Sequence, residues 1–343
     1  MSRLTIVIPT VNRAYCIRRA VESALAQTSP DVDILVSNNG STDGTRAILD
    51  EYTDPRLRVF HHASTMPVAV HANLLINEAR GELITALSDD DYLEPRFAER
   101  MLNLFARHPE LSFAYARCWV HVGDAAMPSP GAPELEATLP FFASYFDGAR
   151  QIFWCACAMR TAALRRLFPM PPDVNIGDMY LWTQLAFDGG VGCVPELLAH
   201  YTYLIDNVSL GIPVSVWAEE TRQLSARIER RLRERNEDPV AVAHLTRSMR
   251  KYLARTTANQ FALNASRGAT KASLIEALRS CGQLLVPDLQ TAVPRVAASL
   301  FLPASLVRRL VVAFSSSRSR WARPREAQFE VDRLGVSQPE VTS

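Results

Sequence analysis

The sequence has very little lysine, almost no net charge and no long uninterrupted apolar run. Its 343 residues contain 37 Lys and Arg against 36 Asp and Glu, a formal net charge of +1, and the only lysines are Lys251 and Lys271. Such a balance gives no overall field that would gather nucleic acid or adsorb the chain broadly to a membrane. We therefore expect no nucleic-acid partner, and recognition of any partner by a local site.

The cysteines lack the spacing of a structural zinc site or a redox dithiol. No two of the six form a C-x-x-C pair, and scattered free thiols are typical of a reducing compartment. Cys155 and Cys157 alternate along an apparent strand, which predicts two small buried side chains on one face. The chain runs from Met1 into an apolar segment that is too short for a signal-peptide core. We expect a cytoplasmic protein, with peripheral contact at the inner face of the membrane as a further expectation.

The first 87 residues alternate between short β-branched runs and helical patterns. The predicted strands are Leu4–Ile8, Ile34–Ser37, Leu57–His61 and Leu83–Leu87, and the predicted helices are Ile17–Ala26, Thr45–Tyr52 and Val70–Ala79. This βαβ series predicts an α/β fold, Rossmann-like, with a mostly parallel central sheet flanked by helices. Ligands of such sheets bind beyond the carboxyl ends of the strands.

Further along, the same patterns predict a helix at Arg96–Arg107, a strand at Ser112–Trp119, a surface loop at Met127–Pro133, a strand at Ile152–Met159 and a helix at Asp178–Phe187. We place the end of a catalytic domain near residue 210. Residues 211–314 form a helical C-terminal region, with helices predicted at Val216–Glu237, Val240–Ala265 and Lys271–Leu285. Residues 315–343 form a polar, loosely ordered tail.

The helical region ends in an apolar stretch from Val296 to Phe314, which Pro303 and the pair Arg308-Arg309 interrupt. A span of the bilayer takes about 20 mostly apolar residues, so this stretch predicts a packed helix or a helix on a membrane surface. Packing on the catalytic domain, oligomerisation and peripheral membrane contact all remain open as roles for the region.

Three adjacent carboxylates follow the fourth predicted strand, in the run LSDDDYLEP around Asp89, Asp90 and Asp91. Crowded like charges raise one another's pKa unless a cation compensates them. The cluster therefore predicts a site for Mg or Mn, which would take further ligands from substrate phosphates and water. The alternative is a solvated acidic turn that caps the following helix.

A second polar string, SNNGSTDGT from Ser37 to Thr45, follows the second predicted strand. It offers side-chain amides and backbone N–H groups that suit a base or ribose edge. Taken alone, it is equally a good strand-to-helix turn.

These motifs, in their order and spacing, resemble the family-two inverting glycosyltransferases of GT-A fold. The resemblance covers roughly residues 4–209, and it is carried by IVIPTVNR from Ile6, the SNNGSTDGT string, Asn73 with NEARGE from Asn77, and LSDDDYLEP. It implies an enzyme that moves a sugar from a nucleoside diphosphate donor, of UDP or dTDP type, to a hydroxyl acceptor. Glycan or polysaccharide biosynthesis, with a lipid-linked glycan among the acceptors, is the implied setting.

The resemblance also assigns site residues. Donor-binding positions match Pro9, Thr10, Asn12, Asn38, Asn73 and Asp89. The ribose- and metal-contacting part of the D-x-D-like motif matches Asp89 and Asp90, and Asp90 with Asp91 as support is the implied metal site. In NIGDMYLW, Asp178 matches the acid that opens a helix beneath the acceptor, so it is the candidate base for an inverting displacement. Its alternative is a helix N-cap.

Several positions depart from the family pattern. Val11 stands where the family commonly has an aromatic residue that stacks on the nucleobase. Asn38 stands in place of an Asp, and Gly177 stands in place of the first acid of an acidic pair. Thr202 and Leu204 stand where Arg and His commonly precede the late Asn and Ser. Contacts that those two would supply must come from elsewhere, and the candidates are Arg13, Arg56 and His71. Aromatic residues for the acceptor side, or for core packing, are Phe153, Trp154, Tyr180 and Trp182.

Two other functions compete with this one. A sugar-phosphate nucleotidyltransferase needs a Gly-rich phosphate loop and an activating lysine near the first strand, and the N-terminal half has no lysine. The departures at Val11, Asn38, Gly177 and Leu204 instead favour a catalytically degenerate protein that binds nucleotide sugars or acts as a scaffold. Transfer or hydrolysis of a donor would exclude the latter.

Overall fold

The computed structural model describes residues 3–169, 175–203, 211–307 and 310. Its first part follows the predicted alternation, with each predicted element present and its ends shifted by a few residues. The elements are β1 Leu4–Thr10, α1 Ile17–Leu25, β2 Val32–Asn38, α2 Thr45–Leu49, β3 Leu57–His61, α3 Val68–Glu78 and β4 Leu83–Ala86. Strands β1, β2 and β4 are buried on both faces, as a sheet covered by helices requires, whereas β3 at the edge of the sheet is half-buried.

The second part completes the sheet. Its elements are β5 Tyr92–Leu93, α4 Phe97–Arg107, β6 Phe113–Val122, β7 Ala125–Pro128, β8 Leu135–Glu136, α5 Thr138–Asp147, β9 Cys157–Arg160, α6 Thr161–Arg165, α7 Gly177–Leu185 and β10 Val191–Thr202. The strand order is β3-β2-β1-β4-β9-β6-β10-β5, with β7 beside β6 and β8 beside β10. Strands β1 to β4 are mutually parallel, whereas β9 runs antiparallel to β4 and β6. The mostly parallel α/β sheet is therefore confirmed.

Alternate residues of the central strands pack into two cores, one on each side of the sheet. Ile6 and Ile8 of β1 belong to the core that includes α1 and α4, whereas Val7 belongs to the core on the opposite side, with α5 and α7. This alternation follows from the period of two in a strand. It fixes the register of β1 at the centre of the sheet.

The predicted strand Ile152–Met159 is wrong in its first half. Residues Trp154–Ala156 form a 3-10 turn, and β9 begins only at Cys157. Successive side chains rotate by about 120° in such a turn and do not alternate as in a strand. As a result, Cys155 and Cys157 are both buried but pack in opposite cores, not on one face.

The predicted surface loop Met127–Pro133 is also partly wrong. Its first two residues belong to β7, which pairs antiparallel with β6. The hairpin turn contains Gly123 at φ +58°, a backbone conformation that glycine adopts without strain. The short strand β7 ends at Pro128, because Pro128 and Pro130 have no backbone N–H to continue the hydrogen-bonded pairing with β6.

The C-terminal part is helical, as predicted. It contains α8 Val214–Glu234, α9 Pro239–Ser266, α10 Lys271–Cys281, a 3-10 segment Gly282–Asp288 and α11 Leu289–Phe301. The Asp238 carboxylate accepts hydrogen bonds from the N–H groups of Val240 and Ala241, and Pro239 occupies the first turn, so α9 has a strong start signal. None of the described helices is long and apolar enough to cross a bilayer. The predicted tail lies outside the described residues.

These helices pack in two places. Leu224, Ile228 and Leu232 of α8 join the core that includes α5 and α7. Val214 of α8, Phe261 of α9 and the inner face of α11 form a third core of their own. The helical part is therefore held against the sheet by one face of α8 and α9.

Candidate functional site

The carboxyl ends of β1, β2 and β4 meet at one edge of the sheet. Thr10 at the end of β1 pairs with Asn38 at the end of β2, and the N–H of Leu87, just after β4, donates to the carbonyl oxygen of Val7. The polar segments that follow these three strands therefore lie side by side. This edge is where a doubly wound sheet binds its ligands.

The SNNGSTDGT string holds the loop after β1 in place. Asn12 adopts φ +54°, and its backbone N–H donates to the Ser41 hydroxyl at 2.8 Å, while its side-chain oxygen accepts from the N–H of Thr42 at 2.8 Å. The N–H of Arg13 donates to the Thr45 hydroxyl at 3.0 Å. The string thus shapes the first loop, a role that its composition alone did not reveal.

Gly40 allows the second loop to pass close to a third. It has φ +71°, and a Cβ there would lie 2.4 Å from the backbone carbon of Ser64. Asn39 clamps the same segment, because its amide donates to the carbonyl oxygen of Met66 and its side-chain oxygen accepts from the N–H of Met66. Any larger residue at position 40 would push these loops apart.

Asn38 is buried, at 3% exposure, and its side-chain orientation is fixed by two contacts. Its Oδ1 accepts from the N–H of Ser41 at 3.1 Å, and its Nδ2 lies 3.1 Å from Nδ1 of His61. Nε2 of His61 lies 3.0 Å from Asp50, which favours a proton on Nε2 and leaves Nδ1 to accept from the amide. The chain Asp50–His61–Asn38 therefore determines which way the Asn38 amide points.

The acidic run after β4 is the most strongly perturbed group of charges in the site. Asp90 and Asp91 are 7% and 1% exposed. Burial raises the pKa of Asp89 to about 6, against the lowering effect of the nearby Thr10 hydroxyl, and the charge of Asp90 raises it further. Burial together with Asp90 raises the pKa of Asp91 to about 8. Acidic groups are therefore concentrated at this point of the site.

Two arginines approach this run from the segment after β1. Nε of Arg13 lies 3.6 Å from Oδ1 of Asp89. Arg19 of α1 donates to the backbone carbonyl oxygen of Asp90 at 2.7 Å and to the hydroxyl of Thr202 at 3.1 Å, and its guanidinium lies 4.5 Å from the centre of the Tyr92 ring. Both cations partly offset the acidic charge and fix the loop.

The described residues contain no set of three or more His, Cys, Asp or Glu side chains arranged to hold a metal ion. Within the described part of the chain, the acidic run therefore offers one or two carboxylates to a metal ion and not a complete set of ligands. That donor set fits Mg²⁺ or Mn²⁺, which are commonly held by one or two carboxylates and complete their shell with phosphate oxygens and water. The raised pKa values mark carboxylates whose charge a cation would offset.

Aromatic and imidazole side chains pack next to the acidic run, beginning with Tyr92, which directly follows Asp91. Nε2 of His121 lies 2.9 Å from Nδ1 of His200, and Nε2 of His200 lies 2.7 Å from Glu94. Tyr92 stacks on His200 with ring centres 4.0 Å apart. Burial, His200 and Arg19 lower the pKa of His121 to about 4, so this imidazole is neutral at neutral pH.

Asp178 lies in the first turn of α7, two residues after Ile176 at the N-cap. Its Oδ1 accepts from the N–H of Met179 at 2.8 Å, so Asp178 is not the N-cap residue that the alternative interpretation suggested. The residue is exposed to solvent, but desolvation by the neighbouring protein atoms raises the pKa of its carboxyl group. A carboxylate with a raised pKa is suited to accept a proton.

The acidic run and Asp178 flank the same short segment of chain. The Cys155 thiol lies beside Asp91, and the charge of Asp178 acts on the Cys157 thiol two residues on. Because Cys155 and Cys157 pack in opposite cores, Asp91 and Asp178 lie beside this segment on different sides of the sheet. Behind Asp178, the hydroxyl groups of Tyr145 and Tyr252 are 3.0 Å apart, so α9 contacts this part of the site.

The remaining sequence candidates lie in different environments. Arg56 precedes β3, at the opposite edge of the sheet, where it pairs with Asp54 and donates to the carbonyl oxygen of Leu25. His71 is buried, its Nε2 lies 2.7 Å from the Ser37 hydroxyl, and burial with His62 lowers its pKa to about 4. Of the three replacement candidates, only Arg13 reaches the acidic run. Leu204 lies outside the described residues.

The two remaining donor-binding candidates and the aromatic candidates for the acceptor side are half-buried or buried. Asn73 is half-buried in the middle of α3, and Pro9 is half-buried at the end of β1. Trp182 is 2% exposed and packs edge-on against Tyr145, with ring centres 4.6 Å apart, so it belongs to the core. Phe153, Trp154 and Tyr180 are half-buried at the margin of the cores.

Sequence reasoning missed Arg19, His61 and the His121–His200 pair. Arg19 lies in a helix and His61 in a strand, and neither belongs to a motif. His121 and His200 are 79 residues apart and meet because β6 and β10 pair in parallel. The only local signal was the polar character of His121 and His200 within otherwise apolar strands.

The comparisons with known proteins agree with this geometry. The profile of "Glycosyl transferase family 2" matches residues 5–167. A chondroitin synthase of Pasteurella multocida is 35% identical over 114 residues, which is 33% of this chain and 12% of that protein. The putative glycosyltransferase EpsH of Bacillus subtilis is 35% identical over 101 residues, 29% of each chain. The chain thus spans less than a third of the length of these relatives.

Solved structures match over nearly the whole chain. S. aureus TarS 1–349 in complex with UDP-GlcNAc superposes with a TM-score of 0.63 at 15% identity, and the match covers 94% of this chain and 93% of that one. The mannosyltransferase PcManGT from Pyrobaculum calidifontis, in complex with GDP-Man and Mn2+, gives a TM-score of 0.53 at 17% identity, covering 94% and 88%. At this identity the likeness establishes the GT-A type of fold. Residues 5–167, just under half of the chain, therefore resemble glycosyltransferase family 2.

Proposed function

We propose that the chain is a metal-dependent, inverting glycosyltransferase that moves a sugar from a nucleoside diphosphate to a hydroxyl acceptor. The observation that carries the proposal is the meeting of Thr10, Asn38 and the acidic run at the carboxyl ends of β1, β2 and β4. The family match over residues 5–167 supports it. We further propose residues 1–210 as the catalytic domain, 211–314 as a helical region and 315–343 as a separate tail.

The donor site would use the loops after β1 and β2. Pro9, Thr10, Asn12 and Asn38 would hold the nucleoside, with Asn73 on α3 as a further contact. The Asn38 amide can both donate and accept, which suits uracil or thymine. UDP or dTDP is therefore the proposed carrier, and the UDP-GlcNAc bound by TarS is consistent with a UDP donor.

The acidic run would hold the charged part of the donor. Asp89 would contact the ribose, and Asp90 with Asp91 would hold Mg²⁺ or Mn²⁺, whose charge would stabilise the diphosphate leaving group. The Mn2+ in the PcManGT complex supports this choice of ion. Arg13, 3.6 Å from Asp89, adds a fixed positive charge at the same place.

Asp178 would act as the catalytic base. Its carboxylate would take the proton of the acceptor hydroxyl while that oxygen attacks the anomeric carbon on the face opposite the diphosphate. The bond from the anomeric carbon to the diphosphate oxygen breaks as the new glycosidic bond forms, which inverts the configuration. The raised pKa of Asp178 brings its basicity nearer to the working pH, as general-base catalysis requires.

The acceptor would be a growing glycan, and a lipid-linked precursor is the proposed form. Relatives named as chondroitin and hyaluronan synthases support a role in polysaccharide synthesis. We propose that the protein works in the cytoplasm, in peripheral contact with the inner face of the membrane.

A thermal-shift screen tests the donor site. The purified chain would be heated with UDP, GDP, dTDP or CMP, each with and without Mn²⁺, and the screen repeated on Asp90→Ala. We expect a metal-dependent rise in Tm with UDP or dTDP that is lost in the variant. Stabilisation by none of the nucleotides would contradict the proposal, and stabilisation without any later turnover would favour a degenerate binding protein.

A further inference from the structure

Glu220 of α8 contacts the segment just before Asp178. Its carboxylate accepts from the backbone N–H groups of Asn175 and Ile176, each at 3.0 Å, and from the side-chain amide of Asn175 at 2.6 Å. These N–H groups lie at the start of α7, where a helix has no internal acceptors for them. A carboxylate from another helix thus caps the helix that carries Asp178.

The geometry points to Glu220 as a positioning residue for the base, an inference that rests on the proposed function. Glu220→Gln keeps the size of the side chain but replaces one acceptor oxygen with an NH₂ group that faces an N–H donor. We expect kcat to fall about tenfold, with a change of less than about twofold in the donor KM, because the donor site lies on other loops. The neighbouring Glu219→Gln is the control, since Glu219 pairs only on the helix surface with Arg222 and Gln223.

Amide hydrogen exchange separates this inference from the reaction itself. The start of α7 should exchange faster in Glu220→Gln than in the wild type or Glu219→Gln, whatever the activity. Equal exchange and equal kcat in all three proteins would overturn the positioning role. If Glu220→Gln exchanges faster but the wild type shows no turnover, the capping role of Glu220 is supported and the proposed function is contradicted.

Discussion

The backbone N–H of Thr202 donates a hydrogen bond to Oδ1 of Asp91 at 2.7 Å. It ties the acidic run after β4 to the end of β10, more than a hundred residues along the chain. Arg19 strengthens the same junction, since it reaches both the Asp90 carbonyl oxygen and the Thr202 hydroxyl. The position of the acidic run is therefore set by the folded sheet and not by its own sequence.

Two substitutions at Asp91 should separate its charge from its hydrogen bond. Asp91→Asn keeps an acceptor for Thr202 and replaces a carboxyl group whose charged form burial opposes, so we expect the metal-free protein to be as stable as the wild type or slightly more so. Asp91→Ala leaves the N–H of Thr202 without its acceptor and should cost about 1–3 kcal/mol of unfolding free energy. Urea unfolding without added metal measures both, and equal stability of the two variants would contradict this role of the hydrogen bond.

The fold was largely predictable because its signals are local. Apolar runs of β1 to β4 and the helical patterns between them gave the parallel sheet, and parallel strands necessarily bring their carboxyl ends to one edge. The turn at Trp154–Ala156 was missed because a short, fully apolar run has no periodicity that separates a strand from a turn. Contacts such as Glu220 with Asn175, or His121 with His200, depend on long-range packing and have no local signature.

The chain Asp50–His61–Asn38 should control nucleotide binding without touching the ligand. His61→Phe removes the acceptor for the Asn38 amide, so the amide can rotate. We expect about three- to tenfold weaker UDP or dTDP binding by calorimetry, the equivalent of one lost hydrogen bond. Asp50→Ala should give a smaller loss in the same direction.

Arg46→Ala is the matched control for that series. Arg46 forms an exposed i,i+4 pair with Asp50 at 3.5 Å and is not in the chain to Asn38. The affinity of the Arg46→Ala variant for nucleotide should equal that of the wild type. A similar loss in Arg46→Ala and His61→Phe would mean that the surface of α2, and not the amide orientation, matters.

The buried His121 should make stability depend on pH. Its pKa is lowered from 6.5 to about 4, so between these values the unfolded chain binds more protons at this residue than the folded one. The contribution of His121 to stability is therefore lost as the pH falls from about 6.5 to about 4. Asp89 and Asp91, with raised pKa values, act in the opposite sense, so the wild-type curve alone does not isolate His121.

The difference between two curves isolates it. Tm would be measured across this pH range for the wild type and for His121→Asn. The gap between them should narrow by a few degrees as the pH falls, because only the wild type must protonate a buried imidazole. A gap that stays constant would mean that His121 is not held neutral.

The most direct test of the central claim is the configuration of the sugar released from an α-linked UDP-sugar or dTDP-sugar, followed by proton NMR in the presence of Mn²⁺. Slow transfer to water or to an added hydroxyl acceptor should give the β-anomer first, and Asp178→Asn should lower the rate about 10³-fold while nucleotide still binds. Early appearance of the α-anomer would contradict inversion. Full activity of Asp178→Asn would contradict its role as the base, and absence of turnover with every donor would contradict the proposed enzyme.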